Sequence, residues 1–276
     1  MLFDALCDYY LDAHAFRKRT AGEDRRIIDT YLRPKFGRRH VESLRYKDIH
    51  DLHAGMHATP YQANRVLSVV SRLWGIAEIL EVEDLRPCPC RHVKRYTEKK
   101  RRRYLSDTEA RAVIHAIDAR FEKYPLECAL LLLELYTGAR PSEMKRATWS
   151  MLQGDRLEHD NSKTDQRTIY LPPQALSVLA RLPRSRQWII GPDVSARYVW
   201  ASVLDETGIT NLRMYDLRHA FASFALDEDL PFPKLQELLG HASPATTMRY
   251  AHLSKSGGRA AARLLGERFE RIENSA

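Results

Sequence analysis

Leu126-Glu-Cys-Ala-Leu-Leu-Leu-Leu-Glu-Leu-Tyr-Thr137-Gly-Ala-Arg140-Pro-Ser-Glu143 is the stretch on which the fold turns. Its apolar run Cys128–Leu133 is the longest uninterrupted one in the chain and is flanked by Glu127 and Glu134. Six residues cannot cross a bilayer, which excludes a transmembrane helix. A helix that is apolar all round, Leu126–Thr137, belongs inside the core of a sizeable domain. Gly138 stops it, because glycine suits the left-handed residue after a helix end. Arg140 then projects from a loop anchored by a buried helix.

Working outward from there, Ser106 and Glu109 form a capping-box pattern that starts a helix. Residues 148–172 lose helical periodicity. Leu152, Leu157, Ile169 and Leu171 stand among the turn residues Gly154-Asp155 and Asp160-Asn161-Ser162, which predicts two or three short antiparallel strands. Helical patterns resume at 173–182, 194–207, 216–228, 233–239, 244–252 and 258–272. The expected unit is a mainly α, α+β domain with a small antiparallel sheet, spanning 104–276.

Residues 1–90 read as a separate all-α bundle. Phe3, Leu6, Tyr10 and Ala13 share a helical face. Thr20 and Glu23 cap a second helix carrying Ile27, Ile28, Tyr31 and Leu32, with Pro34 and Gly37 expected to close it. A third holds Ile49 and Leu52. Thr59 and Pro60 suit the start of a long fourth helix. Its apolar stripe is Val66, Val69, Val70, Leu73, Trp74, Ala77 and Leu80, and Gln62, Arg65, Ser68 and Arg72 lie opposite.

The net charge of +8 is concentrated: residues 91–103 carry eight Lys/Arg against one acid. A basic strip between two near-neutral blocks reads as a linker that touches a polyanion, or as a solvated connection. Cys88-x-Cys90-x-His92 lacks a fourth ligand nearby and the usual zinc spacing, so these read as free cysteines, with no metal expected. Four cysteines in 276 residues make no disulfide scaffold, and no apolar signal core follows Asp4 and Asp8, so a reducing cytoplasm is expected.

Four scattered segments carry chemistry: Thr137-Gly-Ala-Arg140-Pro-Ser-Glu143, Ser162-Lys163-Thr164, Asp216-Leu-Arg218-His219, and Leu239-Gly-His241 with Tyr250 nine residues on. In order and spacing they resemble the tyrosine recombinases, or phage integrases. The resemblance runs from about residue 3 to about 270. It implies a SAM-like core-binding bundle (1–90), a basic interdomain strap (91–103) and a catalytic domain (104–276). It also implies an activity: site-specific cutting and rejoining of double-stranded DNA through a 3′-phosphotyrosine, needing no metal, ATP or other cofactor.

By the same resemblance Tyr250 is the nucleophile. Arg140 and Arg218 hold the phosphate, as guanidinium forks can. Glu143 orients Arg140, Lys163 is the general acid for the 5′ oxygen, and His241 hydrogen-bonds the phosphate. One position departs: the family's usual histidine three residues before the second arginine is here Tyr215, a poor base near neutral pH. His219 matches a separate histidine and shares a helical face with Tyr215. DNA contacts are expected from Arg65, Arg72, Lys99, Lys100, Arg101, Arg102 and Arg103.

The partners implied are DNA and three further copies of the chain on two DNA sites, with possible accessory DNA-bending or directionality factors and no membrane. The tail 258–272, with its stripe Ala261, Leu264, Leu265, Phe269 and Ile272, either folds back or docks on a neighbour. Two other readings stay open: a non-catalytic DNA-binding relative, which Tyr215 favours, and a type IB topoisomerase-like enzyme. A two-metal nuclease is disfavoured by the lack of clustered carboxylates.

Overall fold

The computed structural model describes residues 1–15, 21–98, 103–161, 165–253 and 266–268. Contacts divide the chain into two compact units, 1–101 and 102–276.

The first unit is all helical among its described residues: α1 (Phe3–Tyr9), α2 (Ala21–Ile27), α3 (Arg33–Phe36), α4 (Tyr46–Ala54) and α5 (Pro60–Ile79). Wider π-type turns extend α1 over Tyr10–His14 and join α2 to α3 over Ile28–Leu32. Pro34 does not close the second helix as expected. It sits in the first turn of α3, where a missing N–H costs nothing. The Thr20 end of that capping pattern lies outside the described residues. Phe3, Leu6, Tyr10, Ile49, Leu52 and the α5 stripe from Val66 to Ala77 are buried together. Thr59 stands at the N-cap of α5, but its side chain makes no cap bond.

This unit runs past the expected boundary at 90. Asn64 explains why: its side chain donates to Tyr96 O (2.8 Å) and accepts from Tyr96 N (3.0 Å), as a neighbouring strand would. Tyr96 stacks on His53 with ring centroids 4.5 Å apart. Arg95 donates to Asn64 O and Ser68 Oγ, and Val93 is buried. The first half of the basic strip is therefore bonded to α5. Cys88 and Cys90 are free thiols with Sγ atoms 3.0 Å apart.

The second unit contains α6 (Asp107–Asp118), α7 (Pro125–Thr137), α8 (Pro141–Arg146), β1 (Leu152–Gln153), β2 (Arg156–Asn161), β3 (Asp165–Tyr170), α9 (Pro173–Ala180), α10 (Arg197–Thr207), α11 (Asp216–Asp227), α12 (Phe232–Leu239) and α13 (Pro244–Thr247). The Ser106/Glu109 box forms reciprocally, at 3.2 and 3.0 Å. Helix α7 is buried from Cys128 to Leu135 and ends at Gly138 with φ +63°.

The strands form one antiparallel sheet in the order β1-β2-β3. Leu157 pairs with Ile169 and His159 with Arg167. By strand alternation these four share a face. The first pair is apolar core; the second turns polar toward the site described below. A helix was expected over 244–252, but α13 is a single turn that continues as a 3-10 helix, Met248–Leu253. Thr246 and Thr247 are β-branched and weak α-formers. Only Gly266–Arg268 of the tail is described, and it is helical.

Candidate active site

Two glycine turns form the floor of the site. Gly138 follows α7 and Gly240 follows α12, both left-handed (φ +63° and +59°). A Cβ on Gly138 would stand 2.3 Å from the Phe221 ring, and one on Gly240 would stand 2.4 Å from Arg167 Nε. Only glycine meets both demands at each turn.

Arg218, on α11, joins the turns. It is fully buried, donating from Nη1 to Gly138 O (2.5 Å) and from Nη2 to Leu239 O (2.6 Å). Burial and the Arg140 charge push its pKa down. Nη2 also lies 3.0 Å from His241 Nε2. A guanidinium only donates, so Nε2 accepts; Nδ1 then carries the ring proton and donates to Thr247 Oγ1 at 2.8 Å. Burial, with Arg218, Arg140, Arg167 and Arg249 around it, lowers the His241 pKa to about 4, so the ring is neutral at physiological pH.

Arg140 caps α8 and is less buried. Glu143 accepts both from its backbone N (2.8 Å) and from its Nη1 (2.7 Å), which fixes the direction of the side chain. Its fork also reaches toward Gly240 O, at 3.4 and 3.5 Å. Burial works against ionisation of Glu143, but the Arg140 N–H, Arg167 and the Arg140 guanidinium outweigh it and hold the carboxyl below its ordinary pKa.

Tyr250 is 2% exposed, with its ring in a small core beside Ala222, Leu226, Leu235 and Leu239. Burial pushes its pKa up to about 12, against the pull of Arg249 and Arg218. Its hydroxyl shares a 2.6 Å hydrogen bond with His219 Nδ1. Tyr215 is 44% exposed and meets His219 edge-on, with ring centroids 5.2 Å apart.

Arg140, Glu143, Arg218, His241 and Tyr250 are thus gathered from three of the four segments. Lys163, Lys99, Lys100, Arg101 and Arg102 lie outside the described residues. Among the expected DNA contacts, Arg65 is exposed on α5. Arg72 is paired with the buried Asp24 at 2.7 Å. Arg103 grips Glu109 with both Nη atoms, at 3.0 and 2.5 Å, and so supports the start of α6. Both guanidiniums serve their own unit.

Sequence reasoning missed three residues. Arg167 donates to Glu237 O (2.8 Å) and Leu238 O (2.7 Å), capping the end of α12 and tying β3 to the turn that carries His241. Strand alternation put it on the face of Ile169, a signal available in the sequence. Glu134, within the apolar helix, is 1% exposed and its Oε1 has no hydrogen-bond partner. His219 was noted beside Arg218, but its bond to Tyr250 was not foreseen.

A family model described as the phage integrase family matches residues 103–256. The integrase of Salmonella phage P22 is 26% identical over 181 residues, covering 57% of this chain and 45% of that protein. The chain therefore spans less than half of that relative. Among solved structures, an integrase of the Tn1549 transposon in complex with a circular intermediate DNA superposes with TM-score 0.77 at 14% identity, covering 98% of this chain and 99% of that one. A lambda integrase tetramer bound to a Holliday junction superposes with TM-score 0.69 at 17% identity, covering 88% of this chain and 78% of that one. The expected fold, a helical bundle followed by a mainly helical catalytic domain with a small antiparallel sheet, is the one observed.

Proposed function

The chain belongs to the phage integrase family of tyrosine recombinases, and from that premise we propose that it is a site-specific DNA recombinase that works through a 3′-phosphotyrosine at Tyr250. The observation that carries this reading is the convergence of Arg140, Arg218 and His241 around the Gly138 and Gly240 turns, with Tyr250 in the small core that includes Leu239 and its hydroxyl on His219, next to Arg218.

The chemistry follows from the groups. Attack on a phosphodiester crowds negative charge on the non-bridging oxygens, and preorganised guanidiniums stabilise that charge most in the transition state. Arg140, held by Glu143, and Arg218, held by two carbonyls, need no reorganisation to do so. The neutral His241 lies beside both arginines. An arriving phosphate raises its proton affinity and turns Nε2 from acceptor to donor. Lys163, which matches the family's lysine, protonates the departing 5′ oxygen. The exposed Tyr215 hydroxyl adds a hydrogen bond where the family usually has histidine. Exchange of one phosphodiester for another through the tyrosine conserves bond energy, so the cycle needs neither ATP nor metal.

The same reading makes residues 1–90 and 104–276 two DNA-gripping domains joined by a basic strap in which Lys99–Arg102 meet phosphates. Four copies act on two sites, the tail 258–272 passing between neighbours. The reaction takes place on double-stranded DNA in the cytoplasm. Accessory proteins that bend DNA or set direction act on the DNA, outside this chain.

The test is covalent trapping on DNA flanking the gene's own insertion junctions. The full chain should leave an SDS-stable adduct, in EDTA as well. Tyr250→Phe should abolish it with DNA affinity kept within a few fold, and Arg140→Ala or Arg218→Ala should slow it by orders of magnitude. An adduct that survives Tyr250→Phe refutes the nucleophile. Tight binding with no adduct selects the non-catalytic relative, which Tyr215 favours.

A further inference from the structure

Tyr250 cannot attack a phosphodiester while it keeps its proton. Burial holds that proton on well above neutral pH, and Arg249 and Arg218 do not reverse the effect. Some neighbouring group must take it. The residue at the family's usual histidine position offers a phenol, and Tyr215 is in ring contact with His219.

The group that touches the Tyr250 hydroxyl is an imidazole nitrogen, His219 Nδ1, at 2.6 Å. That is within reach for direct proton transfer. The placement is structural. Arg218 and His219 are consecutive on α11, and successive helical residues point about 100° apart. Arg218 therefore turns inward to the Gly138 and Leu239 carbonyls, and His219 turns to the 3-10 helix that carries Tyr250. The ring centroids of His219 and Tyr250 are 5.5 Å apart. The charged and ionisable groups acting on Tyr250 are Arg249 on its own turn, Arg218 and Tyr215 with α11, and Tyr104 ahead of α6.

We propose that His219 is the general base of this enzyme, taking the Tyr250 proton as the DNA is cut and returning it as the DNA is rejoined. This rests on the reading above that Tyr250 is the nucleophile. In cleavage the O–H bond of Tyr250 breaks, its proton passes to Nδ1, and the freed oxygen pair forms the O–P bond. The P–O5′ bond breaks with its electron pair on the 5′ oxygen, which takes a proton from the general acid. Rejoining reverses each transfer, so no oxidant, reductant or further reactant enters.

His219→Asn tests this directly. Its amide oxygen keeps an acceptor near the Tyr250 hydroxyl but cannot hold a proton at neutral pH. Adduct formation near pH 7 should slow by about 100-fold or more, with DNA affinity within a few fold of wild type. The rate of the variant should climb with pH as hydroxide replaces the base.

DNA with a 5′-bridging phosphorothioate at the cut site separates the two proton transfers, because its sulfur leaves without a proton. That substrate should rescue Lys163→Ala and leave His219→Asn slow. As a second variant, His219→Gly should regain rate when free imidazole is added, which a packing role would not allow. His219→Asn cutting as fast as wild type, or rescue of it by the thio substrate, overturns the assignment. A wild-type chain that forms no adduct overturns both this inference and the recombinase reading. A wild-type adduct beside a fast His219→Asn overturns His219 alone.

Discussion

Gly240→Ala places a methyl group 2.4 Å from Arg167 Nε and 2.6 Å from its Cζ. Two separable costs follow. The backbone at 240 is left-handed, φ +59°, which costs a side-chain-bearing residue about 1–2 kcal/mol. The methyl also drives Arg167 from its place. Arg167 donates to Glu237 O at 2.8 Å and Leu238 O at 2.7 Å. Hydrogen bonds from a charged donor are worth about 1.5–3 kcal/mol each, so losing both adds roughly 3 kcal/mol or more.

The single variant should therefore lose about 4–5 kcal/mol. In an Arg167→Ala background the obstacle is already gone, and Gly240→Ala should add only the backbone cost of about 1–2 kcal/mol. The assay is a double-mutant cycle of urea unfolding followed by fluorescence. Three of the four tryptophans, Trp149, Trp188 and Trp200, belong to the second unit, so the signal reports chiefly on it. A coupling of about 3 kcal/mol is expected. Additive losses would refute the claim that Arg167 and Gly240 share one space and that Arg167 sets the turn carrying His241.

Burial raises the Glu134 pKa from 4.5 to about 8, Arg218 opposing and Asp216 adding. A carboxyl whose native pKa lies above its unfolded value binds more protons when folded. Its contribution is complete below about pH 4.5 and declines as pH rises through about 8. Glu134→Gln should flatten that decline and raise the urea midpoint near pH 8; a midpoint profile parallel to wild type would reject it. Replacing Lys99–Arg102 with serine should weaken binding to all DNA sequences alike and flatten the salt dependence by roughly 0.9 per cation that had met a phosphate, read by filter binding across salt concentrations. Tyr215→His should stay active, and Tyr215→Phe should slow adduct formation; a Phe variant equal to wild type would make Tyr215 packing alone.

Much of the architecture is local and was legible in the residue string. The apolar run Cys128–Leu133, within a helix-length stretch that ends at Gly138, belongs in the core because it has no polar face to turn to water. Gly138 and Gly240 mark helix ends because an L side chain is strained there. Ser106 and Glu109 cap α6 through groups three residues apart. The resemblance to the tyrosine recombinases, carried by the order and spacing of the motifs around Arg140, Arg218, His241 and Tyr250, implied that these residues share one site.

Only the tertiary structure decided which partner each polar group takes. Arg72 turned to Asp24, 48 residues away, and Arg103 to Glu109. Arg167 closed on α12 across 70 residues, and Arg140 approached Gly240 across 100. His219 reached the Tyr250 hydroxyl across 31. Periodicity states which face a residue occupies, because the backbone repeats every two or 3.6 residues. It is silent on what stands opposite that face, and burial, charge and proton affinity at a site are set by what stands opposite.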